Sequence, residues 1–202
     1  MPDKGFMNDF VIDKELKIRT TGRDDYKADD YHHPYEPTPY AVLHRLALSG
    51  YITHENILVD YGCGKGRVGF YLSARLGCKS VGIEYDRRIY DAAQSNLGTF
   101  AGKKKPEFIC ISAENYRVEM ADCFYFFNPF AVEILQSVMG RILESYYTNP
   151  RQMTLFFYYP DDAYVAYLMT NDNLMFVDEI DCRDLFEGEN HRERILIFEV
   201  LG

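Results

Sequence analysis

The 202 residues fall within the size of one domain, enough to bury a core and carry an enzyme site. A composition that is 47% hydrophobic and 15% aromatic, with 17 Tyr and 14 Phe, excludes a disordered or collagen-like chain. The net charge of −9 lacks the basic footprint of phosphate-backbone binders and argues against nucleic acid as a partner. Residues 161–202 hold eleven acidic and three basic residues, so the acid is concentrated in the last fifth. No apolar run reaches the ~18 residues that span a bilayer, and MPDKGFMNDFVIDKELK mixes charges where a signal peptide needs its apolar core. The expectation is a cytoplasmic protein without a membrane partner. The five cysteines, Cys63, Cys78, Cys110, Cys123 and Cys182, are odd in number and never spaced C-x-x-C. They read as small buried thiols rather than disulfides or a metal site.

Residues 1–37 form an N-terminal extension ahead of a domain over 38–202. Residues 1–30 show no sustained period, and His32-His33 reads as a surface pair without an acidic partner at recognisable spacing. Tyr35-Glu36-Pro37-Thr38 is a candidate strap over the active site. A helix then runs from Thr38 as N-cap and Pro39 as first helical residue to a stop at Gly50.

From residue 57, apolar runs alternate with helix-length periodic segments. The strands are ILVDY (57–61), SVGIE (80–84), EFICI (107–111), DCFYFF (122–127) and MTLFFYY (153–159). Between them lie helices through 68–76, 86–97, a short one near 113–118, and 131–146. A further helix near 161–170 leads to LMFVDEI and ERILIFEV, an antiparallel hairpin around an acidic stretch read as solvated. Lys103, Lys104 and Lys105 read as a solvated loop. The fold class is α/β: a Rossmann-like, doubly wound, mostly parallel seven-stranded sheet with an antiparallel C-terminal hairpin strand.

The informative string is Val59-Asp60-Tyr61-Gly62-Cys63-Gly64-Lys65-Gly66-Arg67, closing the first strand and opening a helix. Its glycines permit a tight turn and close backbone approach, and the helix N-terminus offers free N–H groups to an anion. In the dinucleotide fingerprint a glycine stands three residues after the second; here that position is Arg67, with the glycine one earlier. Asp60 would crowd a pyrophosphate but can accept hydrogen bonds from an ammonium group. The ligand expected is a zwitterion. Glu84 ends the second strand, where a carboxylate suits a ribose diol, and Ser112-Ala113-Glu114 adds a third loop on the same edge. Lys65 and Arg67 are readable as contacts to an acidic substrate, but Arg67 is better read as a brace of the loop.

These residues together resemble the class I S-adenosylmethionine-dependent methyltransferases. The resemblance implies that Asp60, Gly62, Cys63, Gly64 and Gly66 hold the methionyl part of S-adenosylmethionine. It places the ribose on Glu84 beside Tyr85, and adenine on Ala113 and Glu114. Phe126-Phe127-Asn128-Pro129-Phe130 resembles the Asn/Asp-Pro-Pro-Tyr/Phe signature of methyltransferases acting on planar amino groups, with one proline missing. A second likeness, to methyltransferases of protein lysines, rests on the Asn-containing strand end and the Gly-x-Gly-x-Gly-Arg loop.

Asn128, Pro129 and Phe130 are thus the candidate catalytic residues, with Asn128 also near the cofactor. Tyr35, Tyr40, Phe130 and Tyr159 are candidate acceptor walls, since aromatic faces favour a cation; ordinary packing is an equal reading of the tyrosines. The expected activity is methyl transfer to a nitrogen or oxygen acceptor on a small molecule or protein side chain, releasing S-adenosylhomocysteine. The alternatives are a non-catalytic cofactor-binding accessory protein and an NAD-dependent oxidoreductase, the latter disfavoured by Asp60 and Arg67. Neither the acceptor nor the oligomeric state is readable.

Overall fold

The computed structural model describes residues 8–24, 33 and 35–201. Its strands are β1 (Ile57–Tyr61), β2 (Lys79–Glu84), β3 (Glu107–Cys110), β4 (Cys123–Phe126), β5 (Thr154–Tyr158), β6 (Leu174–Asp181) and β7 (Arg194–Val200). They form one sheet in the order β3-β2-β1-β4-β5-β7-β6. The first five run parallel, and β7 is antiparallel to both β5 and β6. The doubly wound sheet with its C-terminal hairpin is therefore as the sequence implies.

Strand alternation divides the core. Val59, Phe124, Phe126, Leu155 and Phe157 pack with Leu135, Val138 and Ile142 of α5 (Val132–Thr148) on one face. Leu58, Tyr125, Phe156 and Tyr158 face the other way. They meet Val42, Leu43 and Leu46 of α2 (Tyr40–Leu48) and Val68, Tyr71 and Leu72 of α3 (Arg67–Leu76). A strand buried on both faces needs apolar residues at successive positions, which is why these runs read as continuous apolar strings. The remaining long helices are α4 (Arg87–Thr99) and α6 (Asp162–Met169). Among the described residues no helix is long and apolar enough to cross a membrane, and the five cysteines are free.

The N-terminal region departs most from expectation. A helix, α1, spans Asp9–Leu16, capped by the Asn8 side chain, which accepts from Phe10 N. It has no sustained apolar period because polar ties hold it: Phe10 and Val11 are exposed, while Asp13 is buried. Asp13 accepts from Thr20 N, Thr20 Oγ1 and the Tyr40 hydroxyl, each at 2.6 Å. Arg67 reaches the same cluster, donating to Thr20 Oγ1 (2.7 Å), the Thr38 carbonyl (3.1 Å) and Asp9. Read from the sequence as a brace of the glycine loop, Arg67 instead ties the N-terminal region to the first residue of α3.

Thr38 is not the cap of α2. Pro39 occupies that position without a side-chain cap, and Thr38 Oγ1 lies 3.1 Å from the Tyr125 hydroxyl. The helix expected near 113–118 contracts to one 3₁₀ turn, Ala113–Asn115.

Candidate functional site

Parallel strands deliver their C-terminal ends to one edge. β1 lies between β2 and β4, so successive connections leave in opposite directions and open a crevice there. A cavity open to solvent occupies this place, at the strand ends where ligands bind in such sheets. Asp60, Gly62, Cys63, Glu84, Tyr85, Ala113, Pro129, Phe130 and Tyr35, all singled out in the sequence, line it.

Asp60 is 3% exposed, and its Oδ2 has no hydrogen-bond partner. Burial, with Glu84 nearby, pushes its carboxyl up to about 8. Leaving a buried carboxylate oxygen unpartnered is costly unless a ligand completes it, and a primary ammonium is the natural complement.

Glu84 is held differently. Its Oε2 accepts from Gly64 N (3.0 Å) and its Oε1 from Asp86 N (2.8 Å). Burial raises its pKa while these two N–H groups oppose the rise. Each oxygen keeps lone-pair capacity, so the carboxylate both fixes the glycine loop and can receive a diol. Burial pushes the Cys63 thiol well up, which leaves it un-ionised and unreactive.

Two glycines meet their neighbours closely. Gly62 has φ +71°, and a Cβ there would come within 2.4 Å of Pro129 Cβ, so the β1 loop and the β4 loop touch. Gly64 has φ +57°, and a Cβ would fall 2.1 Å from the Tyr35 ring. The bare surface expected to face a ligand at Gly64 is covered on that side by the N-terminal strap. The Tyr35 hydroxyl donates to the Thr20 carbonyl, and Lys65 Nζ lies 4.7 Å from its ring centroid.

Six sequence candidates are not among the residues lining the cavity: Gly64, Gly66, Glu114, Tyr40, Tyr159 and Asn128. Tyr40 is fully buried under Arg67, whose guanidinium lies 4.4 Å from its ring centroid. Glu114 accepts from Ser112 Oγ at 3.0 Å. The Asn128 carboxamide, oriented to suit its neighbours, donates to Asp161 Oδ2 (3.2 Å) and accepts from Arg192 Nη2 (3.3 Å).

The same Arg192 stacks 4.3 Å from the Tyr159 ring centroid and donates to the carbonyls of Tyr159 and Pro160. Asn128 (φ +42°) and Tyr159 (φ +54°) are both left-handed. This conformation is costly for non-glycine residues and persists where surroundings enforce it.

Several cavity residues escaped the sequence reading, Asp86, Ile89 and His33 among them. Asp86 caps α4 through its side chain, and Ile89 follows on that helix's first turn; the acid three residues before an apolar position was the available signal. His33, read as a surface residue, is half-buried in the cavity wall. Its partner in that pair, His32, lies outside the described residues.

No family model matches the chain. It is 31% identical over 88 residues to the histone-lysine N-methyltransferase, H3 lysine-79 specific, of Dictyostelium discoideum, covering 44% of this chain and 5% of that protein. A protein-lysine N-methyltransferase of Saccharolobus islandicus is 36% identical over 63 residues, 30% of this chain and 39% of that one. The chain therefore spans well under half the length of both curated relatives.

Among solved structures, the RNA methyltransferase of Salinibacter ruber, determined with S-adenosylhomocysteine, matches with TM-score 0.59. That match has 17% identity and covers 82% of this chain and 94% of that one. A TehB-like S-adenosylmethionine-dependent methyltransferase of Corynebacterium glutamicum matches with TM-score 0.56 and 14% identity, over 80% and 88% of the two chains. The fold is that of the class I S-adenosylmethionine-dependent methyltransferases.

Proposed function

We propose that this chain binds S-adenosylmethionine in the strand-end cavity and transfers its methyl group to an amine on a protein side chain. The observation that carries the cofactor reading is Asp60, a buried carboxylate with an unpartnered oxygen beside a glycine turn and a helix N-terminus. A nicotinamide dinucleotide would set a pyrophosphate against that acid; an amino-acid ligand brings it an ammonium.

The residues present suit the cofactor. Asp60 accepts from the ammonium, Glu84 receives the ribose hydroxyls with its remaining lone pairs, and Ala113 in the 3₁₀ turn after β3 lies beside the adenine. Bound S-adenosylmethionine supplies an electrophilic methyl group on a sulfonium, so the chain's task is placement, which accounts for much of the acceleration in such a reaction. Pro129 and Phe130 form the acceptor wall, and Asn128 fixes their turn through Asp161 and Arg192. With its carboxamide engaged there, Asn128 is not the grip on a planar amino group that the signature near it implies. This favours an aliphatic amine.

Support for a protein acceptor comes from the names of the two curated relatives and from the acidic C-terminal fifth, which attracts basic partners. Calorimetric titration with S-adenosylmethionine, S-adenosylhomocysteine and NADH tests the cofactor. Binding of both adenosyl ligands and not NADH is expected; NADH binding would reinstate the oxidoreductase reading. A labelled-methyl screen over basic proteins, RNA and small amines then tests the acceptor, with label on RNA alone overturning the protein assignment. Binding without transfer to any of them would favour the accessory-protein alternative.

A further inference from the structure

We propose that His33 is the general base of the methyl-transfer site, and this rests on the cofactor and acceptor reading above. An aliphatic amine has a pKa of about 10.4 and reaches the enzyme protonated, without a lone pair to attack a methyl group. A site serving such an acceptor needs a group that takes one proton at neutral pH, the range in which histidine works.

His33 is placed for this by two bonds to the acceptor wall. Its backbone N donates to the Pro129 carbonyl (3.2 Å), and its Nδ1 lies 2.7 Å from the Asn128 carbonyl oxygen. A carbonyl only accepts, so Nδ1 carries the hydrogen. The neutral ring then has its lone pair on Nε2, the tautomer-fixing arrangement in which a backbone carbonyl orients an imidazole for proton transfer. His33 lines the same cavity as Asp60, Pro129 and Phe130.

The proton transfer balances. Nε2 bonds the acceptor's proton, the acceptor N–H bond breaks with its electron pair remaining on nitrogen, and the imidazolium later returns the proton to water. The charged groups that line the cavity with the histidine are Asp24, Glu36, Asp60, Arg67, Glu84 and Asp86, and Arg88 pairs with Asp24. Behind Asn128 stand Asp161 and Arg192.

The test needs no acceptor. Nitrogen-15 NMR of the full chain reads the His33 tautomer in the free protein, and its titration is then followed with S-adenosylmethionine and with S-adenosylhomocysteine, assigned with His33→Gln. The two ligands differ at the reacting centre by one positive charge and a methyl group. A base beside that centre must feel the charge, so the midpoint should lie about one pH unit lower with the sulfonium than with the thioether.

The expected result is an Nδ1–H tautomer and that difference. An Nε2–H tautomer in the free protein, or equal midpoints in the two complexes, would overturn the base assignment while leaving the cofactor reading intact. No spectral change with either ligand would remove the cofactor reading, and the base with it.

Discussion

Two buried ionisable groups flank the glycine loop, and the fold treats them in opposite ways. Arg67, 2% exposed, is tied to Thr20, Thr38 and Asp9, stands 4.0 Å from Asp13, and lies over the Tyr40 ring. Asp60, 3% exposed, keeps an oxygen with no partner. Burial costs both groups several kcal/mol in lost hydration. The chain offsets most of that cost internally for Arg67, which leaves only Nη2 without a hydrogen bond and whose other bonds close the N-terminal region onto the sheet. For Asp60 it does not, and the deficit is available to a ligand. One group belongs to the architecture and the other, on the proposed reading, to the ligand, although seven positions separate them.

The largest effect that would break this contrast is at Arg67. Arg67→Ala leaves Asp13 buried without its cation, and removing one partner of a buried ionic network costs about 3–5 kcal/mol. In a chain of this size that corresponds to a melting temperature ~6–20 °C lower. Thermal denaturation at neutral pH measures it; a change below ~2 °C would mean that the N-terminal region is not anchored through this residue.

Asp60→Asn should do the reverse. S-adenosylmethionine affinity should fall about 100-fold, the loss of one charge-assisted bond, as calorimetry would show. Stability should nevertheless rise. The native carboxyl is pushed up to about 8 from an ordinary 3.8, so the folded chain binds more protons than the unfolded chain between these values. Its stability therefore declines as pH climbs through that window. Asn removes the decline, so Asp60→Asn should melt several degrees above the parent at pH 8, with little difference near pH 4. A variant no more stable than the parent at pH 8 would show that ionising the buried Asp60 carboxyl carries no cost in the folded chain.

The same contrast explains what could be read from the sequence. The sheet, its order of elements and the placement of Asp60 and Glu84 were legible because each rests on local signals. These are continuous apolar runs, glycine spacing, and acids at strand ends, which parallel topology brings to one edge. The N-terminal region was opaque because its stability comes from long-range polar ties.

Helix α1 has no apolar period; Asp13 finds Tyr40 27 positions away, and Asp9 finds Arg67 58 positions away. His33 was misjudged for the same reason. Its bond to the Asn128 carbonyl crosses 95 positions, and nothing near it in sequence announces a partner. Asn128 stands two positions beyond β4, and its side chain depends on Asp161 and Arg192, which become neighbours only when β5 and β7 pair.

Glu84 sharpens the comparison because it lies between the extremes, holding two backbone N–H groups and still accessible to a ligand. Glu84→Gln keeps the volume but turns one accepting oxygen into a donor, setting it against either Gly64 N or Asp86 N. An approximately tenfold weaker binding of S-adenosylmethionine is expected, near 1.4 kcal/mol, with a modest loss of stability from the loosened loop. Unchanged affinity would remove the ribose from this carboxylate.

The smallest effect is the control for the first. Arg45 pairs with Asp184 through Nη2 to Oδ2 at 2.8 Å and also donates to the Asp181 carbonyl. Counted as contacts, it resembles Arg67. It differs in exposure: the Arg45 and Asp184 side chains are 31% and 67% exposed, so water competes for every partner and salt screens the pair. Arg45→Ala should cost no more than about 1 kcal/mol, a shift within ~4 °C. That shift should shrink further in molar salt, whereas the Arg67→Ala loss should persist there. Equal losses at the two arginines, with equal salt sensitivity, would mean that burial does not set the strength of these ties, and the assignment of Arg67 to architecture would fall with it.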